Sequence, residues 1–133
     1  MRPSMTEILM NFAEAIAKRS TCEERQVGAV VASGDFQKIY SVGYNGGAKG
    51  MANTCMCKLG NKYGCVHAEQ NALVKCTATD KDKVMFITLA PCTMCATLII
   101  NEGGYKTVYY RQDWKDNPGI QLLQQAGITC IKL

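Results

Sequence analysis

The chain holds a single histidine, and its setting limits the fold more than any other feature: Cys65-Val66-His67-Ala68-Glu69-Gln70-Asn71-Ala72, then, after 18 intervening positions, Pro91-Cys92-Thr93-Met94-Cys95. Cys92 and Cys95 are three residues apart, so on a helical turn their sulfurs face the same way. A helix start also favours the thiolates a metal requires, because unpaired backbone N–H groups lower thiol pKa. His67 offers the third donor. Two thiolates and one imidazole leave the fourth position of a tetrahedral zinc open to water, the composition of a catalytic rather than a structural site. Any fold for this chain must therefore bring the starts of two helices together.

Glu69 lies two residues beyond His67. Residues two apart on a regular helix point about 200° apart, so Glu69 is expected off the metal and over its water. Zinc lowers the pKa of a bound water towards about 7, and a carboxylate there can take a proton and return it elsewhere.

Ser4 to Arg19 place Ile8, Leu9, Phe12, Ala15 and Ile16 on one side of a helix, with Ser4 and Glu7 set for a capping box. Val27 to Val31 predicts a buried strand, turned by Ser33-Gly34-Asp35 into a second, Lys38 to Tyr44. Gly43-Tyr44-Asn45-Gly46-Gly47 is expected to use unusual backbone angles and to let a ligand approach closely. Ala48 to Gly64, with Cys55-Met56-Cys57, reads as a long loop. Then come a helix from Val66 to about Thr79, a strand Lys83 to Leu89, a helix Thr93 to Asn101 ended by Gly103-Gly104, a strand Lys106 to Tyr110, a helix Gly119 to Gln125 and a strand Ile128 to Leu133. Alternating helices and strands in the second half imply parallel neighbours after an antiparallel hairpin, so the expected architecture is α/β, a mixed sheet of about five strands covered by helices.

At 133 residues the chain is expected to form one domain, residues 1–133, able to bury a core without disulfides. No apolar run reaches the roughly 20 residues needed to cross a bilayer and the N-terminus lacks the plan of a signal peptide, so a cytoplasmic protein without membrane partners is expected. In that setting eight cysteines read as metal ligands and reduced thiols rather than a disulfide framework. Cys76 and Cys130, within a predicted helix and strand, are expected in the core. A formal charge of +4 suits a phosphorylated small molecule and is too weak, with its lysines scattered, to indicate nucleic acid.

His-x-Glu followed by Pro-Cys-x-x-Cys, each opening a helix after strand-like sequence, is the general signature of zinc deaminases acting on nucleobases. The chain resembles the cytidine deaminase superfamily, and within it the deoxycytidylate (dCMP) deaminases, over nearly its whole length. The likeness is carried by Ser20-Thr21-Cys22, Gln26 to Val31, Gly43-Tyr44-Asn45-Gly46, His67 to Ala72, Thr88 to Ala96 and Ala126-Gly127-Ile128. The resemblance implies a three-layer α/β/α fold, hydrolysis of dCMP to dUMP and ammonia, His67, Cys92 and Cys95 as zinc ligands, and Glu69 as the group that protonates ring N3 and then the departing amine. It makes Asn45 a sugar contact and places the backbone at Ala68 and from Thr88 to Ala90 around the base. It also implies activation by dCTP, inhibition by dTTP with Mg2+, and a homohexamer.

The chain departs from the family pattern at Glu24, where many relatives carry arginine, and at Asp113-Trp114, where a tyrosine is common. Arg25, Gln26, Trp114 and Lys115 are the candidates for phosphate binding or for covering the pocket. Cys22, Cys55, Cys57 and Cys65 are candidate ligands of a second, structural zinc like that of some relatives, although Cys55-x-Cys57 is tighter than usual ligand spacing. Two other readings stay open: a tRNA adenosine or other polynucleotide deaminase, from the Pro-Cys-Thr-Met-Cys wording, and a non-enzymatic module whose zinc is purely structural. Glu69 argues against the second, because a structural site has no use for a carboxylate beside an open position.

Overall fold

The computed structural model describes residues 1–22, 24–50 and 65–133. Four helices and five strands alternate along it: α1 (Met5–Ala17), β1 (Gly28–Ser33), β2 (Ile39–Tyr44), α2 (Ala68–Lys75), β3 (Lys83–Leu89), α3 (Thr93–Glu102), β4 (Tyr105–Gln112), α4 (Pro118–Gln125) and β5 (Thr129–Lys132). The sheet runs β2-β1-β3-β4-β5. The antiparallel β1-β2 hairpin and the parallel pairs β3-β4 and β4-β5 are as the sequence predicts, and β1 is also antiparallel to β3.

Side chains alternate across a strand, and that alternation divides the core in two. Val30, Ala32, Val84 and Phe86 face Leu9, Met10 and Ala13 of α1. Ala29, Val31, Met85 and Ile87 face the other way, onto Ala68 and Ala72 of α2, Ala96 and Ile99 of α3, and Ile120 and Leu123 of α4. The three layers follow, α1 on one side and α2 to α4 on the other. β1 is buried along its whole length because it is covered on both faces. No helix of the described residues is long and apolar enough to cross a membrane.

Three expectations need correction. α1 begins as predicted, with Ser4 Oγ accepting from Glu7 N at 3.2 Å, but its buried side is Leu9, Met10, Ala13 and Ala17, whereas Ile8 and Ala15 are exposed. The small residues win that face because the helix lies against the backbone of β1: a Cβ on Gly28 would sit 2.1 Å from Ala13 O and 2.7 Å from Ala17 N. α2 stops at Lys75 rather than near Thr79, and Cys76 is already extended. The β-branched Thr77 and Thr79 beyond it have low helix propensity. Gly43, Gly46 and Gly47 do not adopt positive φ. Gly43 is needed for close packing instead, since a Cβ there would lie 2.3 Å from Ala68 O and 2.6 Å from Ala72 N. Cys76 and Cys130 pack half-buried on the core under α2 to α4, as expected.

The parallel strands place the start of α3 at the carboxyl end of β3, the edge at which α/β sheets bind ligands. Because β1 runs antiparallel to β3, its beginning, and the end of β2 beside it, lie at that same edge. There Gly46 and Val66 form an isolated antiparallel bridge, Val66 N to Gly46 O at 2.7 Å and Gly46 N to Val66 O at 3.1 Å, which carries the chain into His67 and α2.

Candidate metal centre

Both metal-donor segments begin with a residue in extended conformation that caps the helix behind it. Cys92 is the N-cap of α3 (φ −73°, ψ 171°), and its Sγ accepts from Cys95 N at 3.5 Å. Cys95 lies one turn in and is fully buried. His67 is the N-cap of α2 (φ −72°, ψ 155°), its backbone N–H donating to Gln70 Oε1 at 2.8 Å. α2 docks on β2 and α3 follows β3, so the sheet brings the two caps together.

His67 Nδ1 lies 3.2 Å from Cys95 Sγ and 3.6 Å from Cys92 Sγ. The three ligand atoms all fall within 4.8 Å of one another, and theirs is the one such metal-capable group among the described residues. The donor set fits zinc: bonds of about 2.3 Å to sulfur and 2.0 Å to nitrogen at a tetrahedral angle separate N and S by about 3.6 Å. Glu69 is not a member of the group, as expected, though for a different reason. Because His67 precedes the helix, the 200° helical offset does not relate it to Glu69.

Glu69 is only 4 % exposed. Burial pushes its carboxyl up to about 7, partly offset by its own backbone N–H and the nearby His67. A dication on the neighbouring ligands would favour the carboxylate against that burial. The sulfurs and imidazole already share charge. Hydrogen bonds first from Cys95 and then from His67 pull the Cys92 thiol down to about 3, while its bond to Cys92 and burial hold the Cys95 thiol up. The same bond to Cys92 raises His67. One negative sulfur beside a buried carboxyl is an arrangement that attracts a cation.

The remaining predicted residues fall around the same edge. Asn45 is buried, and its amide clamps the chain before β1: Oδ1 accepts from Val27 N at 2.8 Å and Nδ2 donates to Arg25 O at 2.7 Å. Thr88 Oγ1 accepts from Gly28 N at 3.1 Å, Ala90 N donates to Gln112 O at 2.8 Å, and Ala68 is wholly buried. Arg25 and Gln26 are exposed, with Gln26 Nε2 donating to Ser20 O at 3.3 Å. Trp114 packs on the core beneath α2 to α4, and Lys115 Nζ sits 4.6 Å over its ring. Cys22 is buried and Cys65 half-buried. Cys55 and Cys57 lie outside the described residues, and with them the proposed second zinc site.

Three further residues support the site, two of them, Gln70 and Asn71, lying within the family motif His67 to Ala72 but with no partner assigned to them there. Gln70 fixes the backbone of His67. Asn71 Nδ2 donates to Tyr44 O at 2.8 Å, tying α2 to β2. Gly119, at the start of α4, leaves room for the ligand segment, since a Cβ there would lie 2.1 Å from Pro91 O and 2.8 Å from Cys92 O. The Pro118-Gly119 pair was the available signal, a glycine inside a helix implying close backbone approach.

The model of the cytidine and deoxycytidylate deaminase zinc-binding region matches residues 3–111. ComE operon protein 2 of Bacillus subtilis is 34% identical over 137 residues, covering 96% of this chain and 70% of the relative. The deoxycytidylate deaminase of Mycobacterium phage D29 is 33% identical over 127 residues, 84% of this chain and 98% of the relative. Among solved structures, dCMP deaminase of cyanophage S-TIM5 in complex with dCMP and dUMP superimposes with a TM-score of 0.88 at 36% identity, over 100% of this chain and 99% of that one. Matched along most of its length in sequence and in fold, the chain belongs to the cytidine and deoxycytidylate deaminase family.

Proposed function

We propose that this chain is a dCMP deaminase that holds zinc through His67 Nδ1, Cys92 Sγ and Cys95 Sγ and converts dCMP and water to dUMP and ammonia. The observation that carries the reading is a buried carboxyl, Glu69, beside a His/Cys/Cys donor set that lies at one end of a sheet. The likeness to a cyanophage dCMP deaminase solved with dCMP and dUMP supports the choice of substrate.

Zinc, when bound, supplies an acidified water and holds it for attack at C4 of the base. The protein's own groups handle the protons and the geometry. Glu69 accepts a proton from the water and delivers it to ring N3, then takes the proton of the resulting C4 hydroxyl and passes it to the departing amine, so that ammonia leaves as the C4 carbonyl forms. Burial of Glu69 keeps bulk solvent from competing for that proton. Asn45 contacts the sugar with the donor capacity left after its bonds to Arg25 and Val27. The backbone at Ala68 and from Thr88 to Ala90 lines the base, and the phosphate is bound from among Arg25, Gln26 and Lys115, with Trp114 covering the pocket.

Ammonia release from dCMP, dCTP, deoxycytidine, CMP and an adenosine-containing RNA tests this directly. dCMP is the expected substrate, and the family resemblance adds that dTTP with Mg2+ slows the reaction and dCTP speeds it. An inert dCMP would overturn the reading, and turnover of the RNA instead would favour a polynucleotide deaminase. A rate indifferent to saturating dTTP would remove the regulatory part alone.

A further inference from the structure

Asn71 occupies a particular place in the connections around the site. Its Nδ2 donates to Tyr44 O at 2.8 Å. Tyr44 leads covalently through Asn45 to Gly46, Gly46 pairs with Val66 in both directions, and Val66 leads through His67 and Glu69 back to Asn71. The result is a small closed ring in which Asn71 is the only side-chain joint among the described residues. It contains Asn45, His67 and Glu69. Asn45 in turn bonds Val27 and Arg25, so the ring is also anchored to the start of β1.

The docking of α2 does not itself require this amide. Ser41 Oγ donates to Ala72 O at 2.8 Å, Gly43 lets the helix backbone rest on β2, and Ala68 and Ala72 are fully buried. Those contacts hold the helix to the sheet. The amide adds a fixed spacing between the turn carrying Asn45 and the helix carrying Glu69.

We infer that Asn71 is a positioning residue, whose bond to the Tyr44 carbonyl sets the distance between the sugar-contacting Asn45 and the proton-carrying Glu69. This rests on the reading of the chain as a dCMP deaminase. A substrate held at the sugar by one side of the ring is presented at C4 to the other side, and geometry of this kind is expressed in turnover more than in binding. Opening the joint leaves the fold and the metal ligands in place and loosens the alignment.

The test uses the zinc-loaded full chain with Asn71→Ala and with Asn71→Asp, which keeps the shape and removes the donor. Both are expected to lower kcat for dCMP about tenfold, the scale of one lost hydrogen bond, with KM and zinc content little changed. In an Asn45→Ser background, Asn71→Ala is expected to have little further effect, because the two act through one joint. A merely stabilising Asn71 would give additive losses or a loss confined to thermal stability, and either result overturns the inference. Amide hydrogen exchange supplies a readout independent of activity: Asn71→Ala is expected to speed exchange at Asn45 and Val66, the amides that bond Val27 O and Gly46 O, while unchanged exchange there would sink the brace. If wild-type protein leaves dCMP untouched, the functional reading fails by itself and the exchange measurement still decides the ring.

Discussion

At the scale of single residues, the candidate site depends as much on missing side chains as on present ones. Gly119 allows the first turn of α4 to meet the carbonyls of Pro91 and Cys92, so its α-hydrogen stands where a methyl would strike the segment bearing a metal ligand. Gly119→Ala is therefore expected to cost about 1–3 kcal/mol by overpacking, read from urea unfolding, and to weaken zinc retention against a chelator because Cys92 must shift. Wild-type zinc affinity in that variant would show that the ligand segment is not seated by α4. His67, Glu69, Cys92 and Cys95 were legible in the sequence because the chemistry demands those residue types at those spacings. Asn71 was legible as part of the same motif, but its partner was not, nor was the role of Gly119, because these are set by Tyr44 and Pro91, residues 27 and 28 positions away in sequence that only the folded chain brings near.

At the scale of elements, the order and type of all nine described helices and strands could be read from periodicity and turn residues, and the misreadings have physical causes. Apolar residues surround most of α1, so its pattern permits more than one buried face, and Gly28 on β1 selects the alanine side. Lys83, at the start of β3, is 1% exposed, with Nζ 2.5 Å from Glu102 Oε1, 3.4 Å from Ala78 O and 4.6 Å from the Tyr105 ring centroid. Tyr105 OH also donates to Glu102 Oε1 at 2.8 Å. This network fastens the end of α3 to the start of β3, away from the metal donors at the strand's other end. Removing Glu102 leaves the buried Lys83 ammonium without its partner, so Glu102→Ala is expected to destabilise by about 3 kcal/mol, while Lys83→Met combined with Glu102→Met recovers most of the loss. Urea melts of the three proteins check this, and a double variant no better than Glu102→Ala would contradict it.

At the scale of the whole molecule, strand order β2-β1-β3-β4-β5 explains why segments from residues 25 to 95 meet. Reversal of β1 relative to β3 puts the Asn45 turn, Thr88 and the two helix caps at one sheet edge. The mixed sheet was legible because hairpin and crossover signals differ in the sequence; the partnership of the Gly46 turn with Val66 was not, since an isolated bridge leaves no periodic pattern. The central claim is that this edge performs proton transfer through Glu69 on a base held at a His67, Cys92 and Cys95 metal site. Its most direct test is Glu69→Gln, which keeps side-chain volume and removes the exchangeable carboxyl, measured for zinc content, dUMP affinity and ammonia release from dCMP. Zinc and dUMP binding like wild type are expected, with turnover lowered about 10²- to 10⁴-fold. Undiminished turnover, or loss of the zinc itself, would contradict it.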